Sequence, residues 1–216
     1  MRTIKVIGNA SISVRPDLTN ITMNLSGKSA KYEECVNKSA LDLNVISMCL
    51  MEFGFIRSEL KTTSFNVSPN VESYYDNENK YKTKTNGFIY HMDLKLSFKS
   101  DNDKLSKILE SIMKLNVKPT INIFYSVSDS KACERELIAK AVEEAKEKAL
   151  IIAECCDVKL KRIVEINYIK NNMDFTSDSY ELMPQSLKCA NEHFKIDIEP
   201  EEIVKEDSVT LIYEIE

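Results

Sequence analysis

ELIAKAVEEAKEKALIIAECCDVKLKRIVEINY, residues 136–168, is a charged, alanine-rich helical pattern that feeds directly into a strand pattern. Leu137, Ala141, Val142, Ala145, Ala149, Ile152 and Cys156 recur at three- and four-residue steps, the spacing that puts them on one helical face. Alanines on that face let a helix lie close on whatever it covers. The other face carries Glu136 with Lys140 and Glu144 with Lys148, carboxylate-before-amine pairs that stabilise a helix by ~0.2–0.5 kcal/mol each. Residues 163–169 then read as a strand. The stretch predicts a helix packed on a sheet, and no part of it is a catalytic signature.

The rest of the chain alternates with period two wherever it is not helical. Ile4, Val6, Ala10, Ile12 and Val14 share one strand face. Pro16 and Asp17 make a turn, and Ile21, Met23 and Leu25 resume the alternation, so residues 3–27 read as an antiparallel hairpin. A helix follows with Ser29 as N-cap, Val36, Ala40, Leu43, Ile46, Leu50 and Phe53 inward, and Gly54 as its stop. The next strand spans about 61–68. The cleanest strand has Phe88, Tyr90, Met92, Leu94, Leu96 and Phe98 on one face and Ile89, His91, Asp93, Lys95, Ser97 and Lys99 on the other. Asp101 or Asp103 caps a helix with Leu105, Ile108, Leu109, Ile112 and Leu115 inward. Ile121, Ile123, Tyr125 and Val127 mark a further strand, and Val209, Leu211, Tyr213 and Ile215 close the chain in a sheet.

Parallel sheets covered on both faces need near-continuous apolar strands, whereas one-sided alternation belongs to antiparallel or mixed sheets with helices on one face. The expected fold class is therefore α+β, mainly antiparallel, with two related strand-helix-strand units. The pattern is read as one domain over residues 1–216. Two polar stretches, about 69–86 and 170–202, are read as long loops.

The formal net charge of −5, with both signs interspersed, gives no basic stripe for a polyanion, and no nucleic-acid partner is expected. Every apolar run is interrupted well short of the ~20 residues that span a bilayer, so no membrane partner is expected either. Met1 leads straight into a strand pattern without a charged leader, and a cytoplasmic location is the expectation. The six cysteines lack paired metal-site spacing, and none of the four glycines belongs to a phosphate-binding loop. No metal and no cofactor are expected.

With the elements placed, the chain resembles the SIMPL domain family, also called domain of unknown function 541, which includes the Brucella 26 kDa periplasmic antigen. The likeness lies in IKVIGNASISVRPD with Gly8, Pro16 and Asp17, and in TTSFNVSPNVESYY followed by NGFIYHMDLKLSF. It continues in the helix marked by Ala141, Ala145, Lys148, Ala149 and Ala153, and in IEPEEIVKEDSVTLIYEIE at the end. Ala10, Asp157, Lys161 and Glu201 stand where the family often has glycines in turns. The resemblance implies an α+β domain and a tendency to assemble with itself. It brings no catalytic residues, and a stress-related role follows from family analogy alone.

Three groups of side chains are candidates for function. Tyr74, Tyr75 and Tyr81, interleaved with Lys82 and neighbouring lysines, suit an interaction loop, because tyrosine joins a large contact area to a polar tip. The bland alternative is a hairpin whose tyrosines cover their own strands. His91, Asp93 and Lys95 share a strand face and form a candidate polar cluster, although catalysis needs a partner and a pocket as well. His193 lies in the irregular segment. Cys155 and Cys156 are a candidate redox or soft-metal pair. Adjacent helical residues point about 100° apart, so one of the two is expected buried and the other near solvent. Cys35 and Cys49 read as small hydrophobes. The functional expectation is a non-enzymatic homo-oligomeric scaffold or interaction protein with an unknown protein partner. The alternative is a small-molecule-binding protein or enzyme with its site near His91 and Asp93.

Overall fold

The computed structural model describes residues 2–75, 79, 81–169, 173–182 and 199–216. Their elements are β1 (Thr3–Val14), β2 (Leu18–Ser29), α1 (Tyr32–Met51), β3 (Lys61–Tyr75), β4 (Tyr81–Lys99) and α2 (Asn102–Lys114). These are followed by β5 (Thr120–Ser126), α3 (Ser130–Cys155), β6 (Leu160–Asn167), β7 (Tyr180–Leu182) and β8 (Ile203–Ile215). The fold is α+β, with a three-stranded sheet in the order β1-β8-β6 and a five-stranded sheet in the order β3-β4-β2-β5-β7. The chain divides into two compact units, one of Met1–Asp17, Ser126–Ser177 and Pro200–Glu216, the other of Leu18–Tyr125 and Asp178–Glu199.

In the first unit α3 lies on β1 and β8. Leu137, Ala141, Ala145, Ala149 and Ala153 are buried at four-residue steps; Ala141, Ala145 and Ala149 pack with Val6, Val209, Leu211 and Tyr213, and Leu137 packs with Ile12, Phe175 and Ile203. The approach is so close that a Cβ at Gly8 would stand 2.0 Å from the Ala141 carbonyl oxygen. Ile152 and Cys156, expected inward, are exposed, because the alanine row alone follows the line of contact with the sheet. Both expected ion pairs form, Lys140 to Glu136 at 2.7 Å and Lys148 to Glu144 at 2.9 Å. The second pair does more than decorate a helix. Glu144 accepts from the Asn9 backbone N–H, and Lys148 donates to the Ile7 carbonyl at 3.2 Å, so the pair satisfies backbone groups on the edge strand β1.

In the second unit α1 and α2 cover one face of the larger sheet. Tyr90, Met92, Leu94, Leu96 and Phe98 of β4 and Ile21, Met23 and Leu25 of β2 are buried, as their alternation predicts. Leu105, Ile108, Leu109 and Ile112 close over them, with Asp101 capping α2 by accepting from the Lys104 N–H at 2.9 Å. Residues Ile121, Ile123 and Tyr125 of β5 complete the core.

The expected hairpin over residues 3–27 does not form. β1 pairs with β8, whereas β2 pairs with β4, in different sheets. Asp17 explains the parting: its N–H donates to the Ser126 carbonyl at 3.1 Å, and its carboxylate accepts from the N–H and hydroxyl of Ser128. Ser29 ends β2 instead of capping α1, whose N-cap is Lys31 without a side-chain bond. Ala40 is exposed, and the buried face of α1 includes Cys35, Ser39, Ser47 and Cys49.

Candidate functional site

Pairing between β2 and β4 stops at Ser29 with Phe88, but β3 and β4 stay paired to Tyr75 with Tyr81. The stretch expected as a loop is therefore largely a two-stranded ribbon that continues past the sheet. A register shift between Pro69 and Val71, and Gly87 in the left-handed region at φ 78, mark where it leaves. Register puts Val71, Ser73, Tyr75, Tyr81, Thr83 and Thr85 on one face and Glu72, Tyr74, Lys82 and Lys84 on the other. The ribbon holds itself with Asn86 donating to Glu72 at 3.2 Å, Asn70 to the Asn86 carbonyl at 3.2 Å, and Tyr81 to Ser73 at 2.8 Å. The Tyr75 and Tyr81 rings meet edge to face at 5.7 Å. This contact does not bury them: Tyr75 is 68% exposed, Tyr81 63% and Val71 54%. The fold thus gathers Tyr74, Tyr75, Tyr81 and Lys82 on one ribbon.

On the open face of the larger sheet, His91 stands opposite Ser26 and Asn66, and Asp93 opposite Asn24 and Ser64. Asn24 donates to Asp93 at 2.6 Å, Asn122 donates to Asn24 at 3.3 Å, and the Lys95 ammonium sits 5.3 Å from the centre of the Phe124 ring. The three predicted residues share a face, as expected. Asp93 is tied into an amide ladder and Lys95 onto a ring, while His91 has neither of these partners. The arrangement is a network of hydrogen bonds along a sheet surface.

One surface was not legible from a single inward stripe. Leu41, Val45, Met48 and Met51 run along the outside of α1 at 64%, 37%, 69% and 57% exposure. Beside them a cleft of about 400 Å³ opens between the two helices, lined by Val45, Met48, Cys49 and Glu52 of α1 and by Ser111, Lys114 and Leu115. The signal was present: Leu41, Val45 and Met48 are themselves spaced for a second apolar stripe.

Cys155 and Cys156 are both exposed, correcting the expected split. The buried alanine row ends at Ala153, so both lie past the last contact with the sheet, and Cys156 is the C-cap. Burial, and then the charge of Glu52, pushes the Cys49 thiol above its ordinary range. His193 lies outside the described residues. Among those described, no group of three or more metal-ligating side chains comes together, and no helix is long and apolar enough to cross a membrane.

A second cleft, also about 400 Å³, lies along β1 and β8 between Asn9, Ala10, Ser11, Glu206, Asp207 and Ser208. Asp207 is buried there and satisfied, accepting from the Tyr168 hydroxyl and from the Ser208 N–H, each at 2.9 Å. Burial and then that bond raise the Tyr168 phenol above its usual range. The pair locks Tyr168 to β8 and offers no activated nucleophile.

Among solved structures the chain is similar to a hydrolase from Listeria innocua, at 12% identity over 96% of this chain and 92% of that one, with a TM-score of 0.21. It is similar also to an uncharacterized conserved protein from Listeria innocua, at 13% identity, 96% and 92% coverage and a TM-score of 0.17. The regulatory subunit of aspartate kinase from Thermus flavus matches at 8% identity, 97% and 89% coverage and a TM-score of 0.16. Scores this low carry no argument about fold or activity. No curated protein matches the chain. The family comparison is of another kind, because the model of SIMPL, described as a protein of unknown function (DUF541), matches residues 4–213. That span takes in the two sheets and the three helices of the described residues, and the chain belongs to the SIMPL family.

Proposed function

We propose that this chain is a non-enzymatic protein that works by assembling with copies of itself, as a scaffold or interaction module in the cytoplasm. The observation that carries the reading is the β3–β4 ribbon with its exposed Val71, Tyr74, Tyr75 and Tyr81. An isolated two-stranded hairpin is marginally stable in water, and among the described residues no third strand pairs with residues 81–87. Large aromatic side chains on such a ribbon gain most by entering an interface. The register shifts and Pro69 in β3 blunt edge-to-edge pairing along the body of that strand, which favours contact through side chains. Free thiols at the described cysteines suit a reducing compartment. A stress-related role remains an analogy with relatives. The reading is tested by light scattering on the purified full chain at micromolar concentration. Assembly into multiples of the single-chain mass is expected, and a strict monomer refutes it.

A further inference from the structure

We infer that Cys155 and Cys156 form a two-sulfur capture site for a trivalent arsenical, a soft metalloid that carries one apolar substituent. The inference does not depend on self-assembly. Cys155 ends α3 and Cys156 is its C-cap, and among the described cysteines these two alone are exposed. Neither thiol hydrogen-bonds to a described residue. The backbone is also least committed here. Cys156 has left ideal helical geometry at φ −99° and ψ 3°, and Asp157 enters the left-handed region at φ 53°. The buried alanine row stops at Ala153, so the core holds neither side chain in one direction.

Spacing decides between a disulfide switch and a soft-ion site. Adjacent Cα atoms stand about 3.8 Å apart across a trans peptide, whereas a disulfide needs about 4.4–6.8 Å. Oxidation therefore cannot join the two sulfurs without forcing this backbone. A soft ion bonded to both sulfurs at about 2.3 Å, as zinc is, bridges a wider gap. At the near-right angle of pyramidal arsenic those sulfurs stand roughly 3.3 Å apart, close to the Cα spacing itself, so side chains turned toward each other reach it. Thiolates select soft ions, and no group of three or more ligating side chains assembles among the described residues, which counts against zinc. The substituent has a place too. Ile151 lies one turn before Cys155 and Ile152 one turn before Cys156, both exposed beside Leu150, and they offer an apolar surface to an aryl group. Capture involves no redox change: both S–H bonds and the arsenic–oxygen double bond break, two arsenic–sulfur bonds form, and the oxygen leaves as water with the two thiol protons.

The test treats the reduced full chain with phenylarsine oxide and reads intact mass and peptide maps. One phenylarsenic group is expected on the peptide holding both cysteines, with loss of one water, retained against excess glutathione and removed by dimercaptopropanol. Cys155→Ser and Cys156→Ser, at exposed positions, should each weaken retention by about tenfold or more, because the second bond of a chelate is intramolecular. Cys133→Ser and Cys189→Ser should leave it unchanged. Alanine replaces serine at either position if thermal unfolding shows a serine variant to be unstable. Absence of the adduct, its placement on another cysteine, equal retention by either variant, or release by glutathione as fast as from a single thiol overturns the inference.

Discussion

Replacing Gly8 by alanine should loosen α3 from its sheet. An added Cβ would lie 2.0 Å from the Ala141 carbonyl oxygen, 2.6 Å from the Ala145 nitrogen and 2.7 Å from its Cβ, and the first two are helix backbone that cannot rotate aside. Restoring an ordinary contact of 3.4 Å at the oxygen requires a retreat of 3.4 − 2.0 = 1.4 Å along that line. A gap of about 1 Å already forfeits a quarter to a half of the dispersion between facing atoms. The gap would open over Val6, Ala145, Ala149, Val209 and Leu211, and would lengthen the bonds of Glu144 to Asn9 and Lys148 to Ile7. Overpacking of this kind costs about 1–3 kcal/mol, offset by roughly 0.4–1 kcal/mol from a stiffer unfolded chain.

A net loss of about 1 kcal/mol would lower the melting temperature by roughly 2–4 °C in a chain of this length. Urea unfolding followed by circular dichroism measures it. Gly54→Ala is the control, since nothing lies within 4 Å of its Cβ position and only its φ of +83° opposes a side chain, at about 1–2 kcal/mol. Substituting Val for Gly8 should cost more than Ala, whereas at Gly54 added bulk should matter little. A Gly8→Ala chain within about 0.5 kcal/mol of wild type, at an unchanged urea slope, would refute the close-packing account.

Three further outcomes follow from the same geometry. The bond from Lys148, then that from the Asn9 N–H, holds the Glu144 carboxyl below its usual range. Its stabilising contribution is therefore whole above the unfolded carboxylate pKa of about 4.3 and fades as pH falls through the lower folded value. Glu144→Gln should be less stable than wild type at neutral pH, with the difference closing in acid; a pH-independent difference would contradict this. Burial, followed by the bond to Asp42, pushes the Tyr90 phenol up. The stability that it adds is whole below the unfolded tyrosine pKa of about 10 and is lost as pH rises through the folded value, so Tyr90→Phe should flatten the alkaline fall in stability. An unchanged alkaline limb in a denaturation series would count against it. Mass-spectrometric mapping of a brief alkylation at neutral pH should find Cys155 and Cys156 modified before Cys35 and Cys49, and equal rates would contradict the burial described.

How much was legible depended on whether one residue's neighbours along the chain were also its neighbours in space. The dry face of β4 was plain, because Tyr90 to Phe98 alternate without interruption over a core that needs them. The alanine row of α3 was plain for the same reason, although Ile152 and Cys156 were placed inward by periodicity when close approach admits only the smaller side chains. Alternation carries no record of which strand lies alongside. β1 and β2 therefore read as a hairpin, and Asp17 reaching across to Ser128 could not be anticipated from spacing. At the candidate site the tyrosines stood out by composition. The ribbon beneath them was masked by Asn, Asp and Lys, which signal loops unless a partner strand satisfies the backbone. The outer stripe of α1 was missed because a helix was assigned a single apolar face, and Leu41, Val45 and Met48 form a second.

The self-assembly proposed for this chain can be read directly from its mass in solution. Sedimentation of the purified full chain at micromolar concentration should give a multiple of the single-chain mass, and Tyr75→Ser with Tyr81→Ser should shift it toward the single chain. A single-chain mass for the wild type, or an unchanged mass for the double variant, would contradict a ribbon that works as an interface.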